Sequence, residues 1–357
     1  MKIGILTQAL TTNYGGILQN YALQITLMRL GHEVWTFDTC KTSWKDWCVA
    51  TIKTTIKKCL GKKGRYQMTP VQKRKLEKPL RRFVKKNILL TSPRVKLPAA
   101  EWVDRYSLDG IIVGSDQVWR PLYNYGYIDD MFLAFAKNAN IKRVAYAASF
   151  GTDNWEYSKE EEIVCSALAK KFNGISVREK NGIDLCRKHL GVDATHVLDP
   201  TLLLTKEDYT SLCSGILKRE PFVFAYILDH TSEKIEDIKH LAESKGLPYL
   251  IKSAGPIVAD NDSIELWLSY FRDANYIITD SFHGTAFSII FNKEFYVYGN
   301  VGRGNSRFES MLGEFELSER IISGEFAELP VIDWNSVNAK RETMRTFSLQ
   351  WLESKLQ

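Results

Sequence analysis

Short runs of aliphatic and β-branched residues recur along the chain. Each is followed by a polar turn and then by a segment whose apolar positions fall three and four apart. Residues 2–8 form the first run, and 17–30 the first helical segment, with Leu18, Tyr21, Ala22, Ile25, Met28 and Leu30 on one face. Residues 11–16 between them are polar and contain Gly15 and Gly16, which predicts a loop. A strand over 33–38 closes a βαβ unit. The same alternation returns at 109–113, 143–147, 174–179 and 195–198, with helices over 159–172 and 180–190. A second series begins beyond Pro200. Its strands are 222–228, 249–252, 276–279 and 294–298, its helices 233–245, 264–272 and 285–291, and a last helix covers 334–355. Runs apolar throughout, rather than alternating, are those of parallel strands covered on both faces.

The pattern predicts an α/β protein made of two Rossmann-like domains with mainly parallel sheets. The first spans 1–200, with a helical insertion at about 43–100. The second spans 201–333, and a C-terminal helix occupies 334–357. Two such sheets facing one another form a GT-B-like arrangement. A chain of 357 residues is long enough for two separate cores, and 45% hydrophobic with 25% charged residues is the composition of a soluble globular protein. No run of 18 apolar residues occurs and the N-terminus does not read as a signal peptide, so a cytoplasmic location is expected. Six scattered cysteines without a CxxC pair predict neither a zinc site nor a disulfide framework.

Charge alters this picture in one place. Residues 52–96 carry sixteen Lys and Arg against one acid, Glu77, so this segment holds +15 while the whole chain holds +6. Helices are expected at 45–60 and 72–86, the second with Leu76, Leu80 and Phe83 on one side. A solvated helical face is one reading. Contact with something anionic is the other, whether membrane lipid, nucleic acid or a phosphorylated substrate; on the membrane reading Lys73, Arg74, Arg81 and Arg82 lie on the contact, and Trp44 and Trp47 read as core residues or as interface residues. Nucleic acid is not expected as a partner.

The candidate chemistry lies at strand ends, where open α/β sheets bind ligands. The strand at 276–279 runs into Asp280, Ser281, Phe282, His283, Gly284 and Thr285. Asp280 and Ser281 are placed like helix caps, His283 offers a titratable group, and the amides of Gly284 and Thr285 with the Ser281 hydroxyl suit an anion. Arg178 follows another strand. It reads either as a two-point grip on a carboxylate or phosphate, or as an ion-pair partner of Glu179. Ser115, Asp116 and Gln117 follow a third strand, and Asp116 reads equally as a base or a turn residue. Arg303 and Arg307 belong to a glycine-rich basic loop over 299–308. The adjacent glycines at 15–16 do not form the GxGxxG fingerprint, so a nicotinamide cofactor is not implied.

Taken in order, Asn13-Tyr14-Gly15, Gly114-Ser115-Asp116-Gln117-Val118-Trp119, Ser176-Val177-Arg178-Glu179, Asp199-Pro200-Thr201 and Asp280-Ser281-Phe282-His283-Gly284-Thr285 resemble the polysaccharide pyruvyl transferase family. The resemblance covers the chain to about residue 322 and leaves out the basic insertion and the last helix. It implies transfer of a pyruvyl group from phosphoenolpyruvate to a sugar of a cell-surface glycan or its lipid-linked precursor, forming a ketal and releasing phosphate. It implies no metal and no cofactor beyond phosphoenolpyruvate as donor. It carries over His283 as the catalytic histidine and Arg178 as a ligand of the anionic donor. Asn13, Tyr14, Gly15, Ser115, Asp116, Gln117, Ser281, Gly284, Thr285, Arg303 and Arg307 become expected substrate contacts. The alternative is a metal-independent GT-B glycosyltransferase that uses a nucleotide sugar.

Overall fold

The computed structural model describes residues 1–40, 70–253, 262–299, 306–322 and 327–357. The expected helix over 45–60, Trp44, Trp47 and Arg303 lie outside them.

The first sheet contains β1 (Lys2–Leu6), β2 (Glu33–Thr36), β3 (Gly110–Val113), β4 (Lys142–Ala148), β5 (Gly174–Val177) and β6 (Thr195–His196), all paired parallel in the order β2-β1-β3-β4-β5-β6. The second contains β7 (Val223–Tyr226), β8 (Tyr249–Lys252), β9 (Tyr276–Thr279), β10 (Glu294–Tyr298) and β11 (Ile321–Ile322), again parallel, in the order β11-β10-β9-β7-β8. Each sheet therefore reverses its winding once, between β1 and β3 and between β7 and β9. Such switch points leave a crevice at the carboxyl ends of the strands.

The helices are α1 (Tyr14–Arg29), α2 (Pro70–Asn87), α3 (Glu101–Arg105), α4 (Lys159–Ala169), α5 (Asn181–Leu185), α6 (Lys206–Leu212), α7 (Ser232–Ser244), α8 (Ile264–Asp273), α9 (Phe282–Ile290), α10 (Ser306–Glu314) and α11 (Trp334–Leu356). Among the described residues no helix is long and apolar enough to cross a membrane.

Two helices begin earlier than the sequence suggests and a third is not foreseen, for local reasons. Asn13 caps α1, its Oδ1 accepting the Gly16 amide at 3.1 Å, so Tyr14, Gly15 and Gly16 form the first helical turn instead of a loop. Ser281 caps α9 through the Gly284 amide, which places His283 in the first turn. Ser306, Arg307 and Phe308, expected in a loop, open α10. The helix expected over 180–190 is α5 followed by a π-turn over Cys186–Leu190, ended by Gly191 at φ 65°. Residues 72–86 are helical as expected, with Leu76, Leu80, Phe83 and Val84 buried.

The two halves share apolar packing. One cluster of buried residues runs from Ile3 and Ile5 of β1 through Ile17 and Leu18 of α1 to Phe224 of β7, Trp267 of α8 and Phe287 of α9. Tyr14 is stacked on Trp267 with ring centroids 5.2 Å apart. Helix α11 is last in the chain but packs against the first sheet. Ser348 Oγ accepts the Leu198 amide, and Trp351 lies against Tyr146 of β4.

Candidate functional site

The carboxyl ends of β3, β4, β5 and β6 hold a connected set of polar side chains. Beyond β3, Asp116 has φ 73°, in the left-handed region that costs a non-glycine residue energy and recurs at functional sites. Asn13 Nδ2 holds its Oδ2 at 3.0 Å. In β4 the register with β5 shifts between Ala145 and Ala148, and Ala147 has φ 52°. The break frees the Ala147 amide, which donates instead to Ser176 Oγ at 3.0 Å. Bulges of this kind re-aim the residues that follow. Here those residues include Ser149, whose hydroxyl donates to Glu179 Oε1 at 2.8 Å.

Arg178 follows β5 and is almost fully buried. Its Nε donates to Glu179 Oε1 (3.0 Å) and its Nη1 to Asp199 Oδ2 (2.9 Å). Among the described residues its Nη2 has no hydrogen-bond partner. The guanidinium lies over the Phe282 ring at 4.1 Å, a cation–π contact from the other half of the molecule. Asp199, beyond β6, is the centre of the set. Its Oδ1 accepts the Thr201 amide (2.9 Å) and hydroxyl (2.7 Å), and its Oδ2 accepts Ser115 Oγ (3.0 Å) as well as Arg178.

The second half contributes His283. Its Nε2 lies 3.8 Å from Asp199 Oδ2, too far for a hydrogen bond but within strong Coulomb range, and among the described residues it has no hydrogen-bond partner. The opposite side of the ring rests on Gly15. A Cβ at that position would come within 2.0 Å of His283 Nδ1, so only glycine leaves space for the imidazole there. Arg307, from the first turn of α10, completes the group. It is buried and electrostatically coupled to Arg178, Glu179 and Asp116.

Burial and charge compete at every member. Burial pushes the His283 pKa below its ordinary value, Asp199 resists that shift, and Arg178 adds to it. Burial also disfavours the Arg178 charge, yet Glu179, Asp199 and Asp116 outweigh it and hold the guanidinium protonated. Arg307 is pushed down to about 10 by burial and by Arg178. Asp199 stays below the usual carboxylate range despite burial, because His283, Arg178 and Thr201 stabilise its charge. The imidazole is therefore neutral at neutral pH in the unliganded protein. Since the unfolded chain takes up that proton first, stability should fall as pH drops below about 6.5. His283→Gln should remove up to one proton's share of the slope, about 1.4 kcal/mol per pH unit. Urea unfolding across this range checks it, and an unchanged slope would contradict a buried neutral His283.

The sequence-predicted residues fare differently. His283, Arg178, Asn13, Gly15, Ser115, Asp116 and Arg307 come together. Tyr14 does not present itself as a substrate contact: it is buried, stacked on Trp267, and its hydroxyl donates to the Asp262 carbonyl. Gln117 is turned toward Gly151 and accepts from Arg120 Nη1. The expected anion cradle at Ser281, Gly284 and Thr285 is occupied by the helix cap. The Gly284 amide donates to Ser281 Oγ, and the Thr285 amide and hydroxyl donate to the Ser281 carbonyl. Gly284 serves close packing instead, since a Cβ there would meet Thr279 Oγ1 at 2.2 Å. Asp280 caps no part of α9. It accepts the amides of Leu228 and Asp229 and the Lys234 ammonium. Arg178 is not an open two-point fork, because two carboxylates already hold it. Arg81, expected on a membrane contact, is gripped by Asp38 through two hydrogen bonds.

Sequence reasoning missed Asp199 and Glu179 as members of the site. The signal available was the position of each directly after a strand.

The family model for polysaccharide pyruvyl transferase matches residues 13–301. A search of curated proteins finds no match. Among solved structures, UDP-GlcNAc 2-epimerase from Neisseria meningitidis bound to UDP-GlcNAc is 9% identical, with TM-score 0.52, covering 100% of this chain and 99% of that one. The S. aureus MnaA–UDP co-structure is 11% identical with TM-score 0.46, covering 99% and 91%. The E. coli heptosyltransferase WaaC with ADP is 11% identical with TM-score 0.38, covering 98% and 100%. At such identities the likeness concerns the fold, which is of GT-B type. With its family model spanning most of its length, the chain belongs to the polysaccharide pyruvyl transferase family.

Proposed function

We propose that this protein transfers a pyruvyl group from phosphoenolpyruvate to two hydroxyls of a sugar acceptor, forming a cyclic ketal and releasing phosphate. The observation that carries the reading is the meeting of two buried polar atoms without a hydrogen-bond partner among the described residues, His283 Nε2 and Arg178 Nη2, around the carboxylate of Asp199. Buried polar atoms without partners are rare, and two together mark a place that a ligand satisfies.

The donor carries a phosphate and a carboxylate. Arg178 Nη2 and Arg307 supply positive charge, and the first amides of α9, at Phe282 and His283, have no acceptor within the helix. His283 delivers a proton to the methylene carbon of the enol. The first sugar hydroxyl attacks the oxocarbenium carbon so formed and loses its proton. Phosphate then leaves, and the second hydroxyl closes the ketal. Of the two hydroxyl protons, one replaces that delivered to the methyl group and the other departs with phosphate.

Asp199 fixes the Arg178 guanidinium and faces the imidazole. Burial, with a smaller contribution from Arg178, outweighs its pull on the imidazole and lowers the His283 pKa in the free protein. A bound donor brings net negative charge beside the ring and raises its affinity for a proton. Binding and general-acid competence are thus linked. His283 and Arg178 are covered in this structure, so the donor enters by a separation of the two halves at Gly15 and Phe282.

A nucleotide sugar suits the second sheet poorly. At its switch point, where a diphosphate would meet free amides, the Asp280 carboxylate already takes two of them and Lys234. Phosphoenolpyruvate should therefore raise the melting temperature, and UDP- and ADP-sugars should not. Stabilisation by a nucleotide sugar alone would favour the glycosyltransferase reading.

A further inference from the structure

Helix α2 turns a row of cations outward, and these enclose a groove of ≈ 380 Å³ at the carboxyl end of β2. Its walls bear Arg74, Lys78, Arg81, Lys85 and Arg94, against the two acids Asp38 and Glu77. Asp38 does not cancel the field of the groove so much as arrange it. Its two oxygens hold Arg81 at 2.9 and 2.7 Å, and Arg94 lies at 3.4 Å. Arg74, Lys78 and Lys85 remain exposed. An excess of cations fixed around a small concave volume selects a compact anion of high charge, not a broad surface.

The groove is also joined to the site described above. Arg81 Nη1 donates to the Leu10 carbonyl at 3.4 Å, in the loop between β1 and α1. The same loop ends at Asn13, which holds Asp116 and caps α1, and the first turn of α1 carries Gly15, which seats His283. Both lie at carboxyl ends of strands in one sheet, on the ligand side.

We propose that this groove binds a phosphate or diphosphate ester attached to the acceptor sugar, and so selects acceptors that are still on a phosphorylated carrier. This rests on the pyruvyl-transfer reading, and of the anions that the composition allows it takes a phosphorylated substrate instead of the membrane. Two sources of phosphate are possible, the acceptor's own linkage and lipid headgroups, and the proposal commits to the acceptor.

The test uses the full chain and the Lys78→Glu/Lys85→Glu variant. Transfer is measured to one sugar in two water-soluble forms, a short-chain alkyl diphosphate ester and the neutral alkyl glycoside. Preference for the diphosphate, as a ratio of kcat/KM values, should fall about tenfold in the variant, mainly through KM. An unchanged ratio overturns the proposal, and so does an equal loss on both acceptors, which would mean a general effect on α2. Loss of sedimentation with acidic liposomes at an unchanged ratio assigns the groove to headgroups and also overturns it. Calorimetric titration with inorganic pyrophosphate separates this from the parent reading. Binding by the wild type and not by the variant supports the groove even if no pyruvyl transfer is found. No binding by the wild type counts against the groove even if transfer proceeds.

Discussion

Replacing His283 with Ala should reduce phosphoenolpyruvate-dependent phosphate release about 100- to 10,000-fold, the usual loss when a general acid is removed. The fold should survive. The ring lies in a polar junction, and its Nε2 makes no hydrogen bond that the structure depends on. Most of the loss should fall on kcat, because proton delivery belongs to the transition state and binding to the arginines. Gly15→Ala should reproduce much of the effect without touching the imidazole chemically, since a Cβ there would come within 2.0 Å of Nδ1 and must displace the ring. Steady-state phosphate release, with circular dichroism to confirm folding, checks both. A folded His283→Ala protein with wild-type kcat would remove the general acid from the account. A fully active Gly15→Ala would mean that the position of the ring does not matter.

The second large effect should come from Asp199→Ala. That change strips Arg178 of one of its two carboxylates in a site where its side chain is 1% exposed, and leaves Ser115 Oγ and the Thr201 donors without an acceptor. Breaking one partner out of a buried ion pair typically costs about 3–5 kcal/mol. Urea unfolding should show that shift at constant m, and a loss under about 1 kcal/mol would mean that water or Glu179 replaces the carboxylate. Asp199→Asn separates stability from chemistry. It keeps the shape but removes the charge that favours the imidazolium, so the pKa of His283 should fall further. The alkaline limb of kcat/KM, where the general acid loses its proton, should move to lower pH, which a purely structural role would not produce.

Much of the architecture was legible because it depends on local pattern. The strand over 294–298 and the buried side of α2 at Leu76, Leu80 and Phe83 follow from periodicity alone. His283 and Arg178 could be singled out because each follows a strand on the ligand side of a sheet. What could not be read is which distant groups they meet. Gly15 looks like a loop glycine until the His283 ring is seen resting on it. Asp199 stands in the sequence only as part of the Asp199-Pro200-Thr201 motif; one oxygen caps Thr201, and the other serves Ser115 and Arg178. Gly284 appeared suited to a ligand and instead admits Thr279. Tyr14 lies in the same short motif as Asn13 and Gly15, yet it points into the apolar seam between the halves. In each case the neighbouring strand or helix was foreseeable, but the exact helix start at Tyr14 and Phe282 and the groups each side chain meets were not.

The central claim is that His283, Arg178 and Asp199 together move a pyruvyl group from phosphoenolpyruvate to a sugar. The most direct measurement is mass spectrometry of a sugar acceptor after incubation with phosphoenolpyruvate in deuterated water, alongside the phosphate released. The account predicts an acceptor heavier by one pyruvyl ketal carrying deuterium in its methyl group, one phosphate per ketal, and neither product with His283→Ala. Phosphate released without any gain in acceptor mass, or the same ketal formed by His283→Ala, would contradict it.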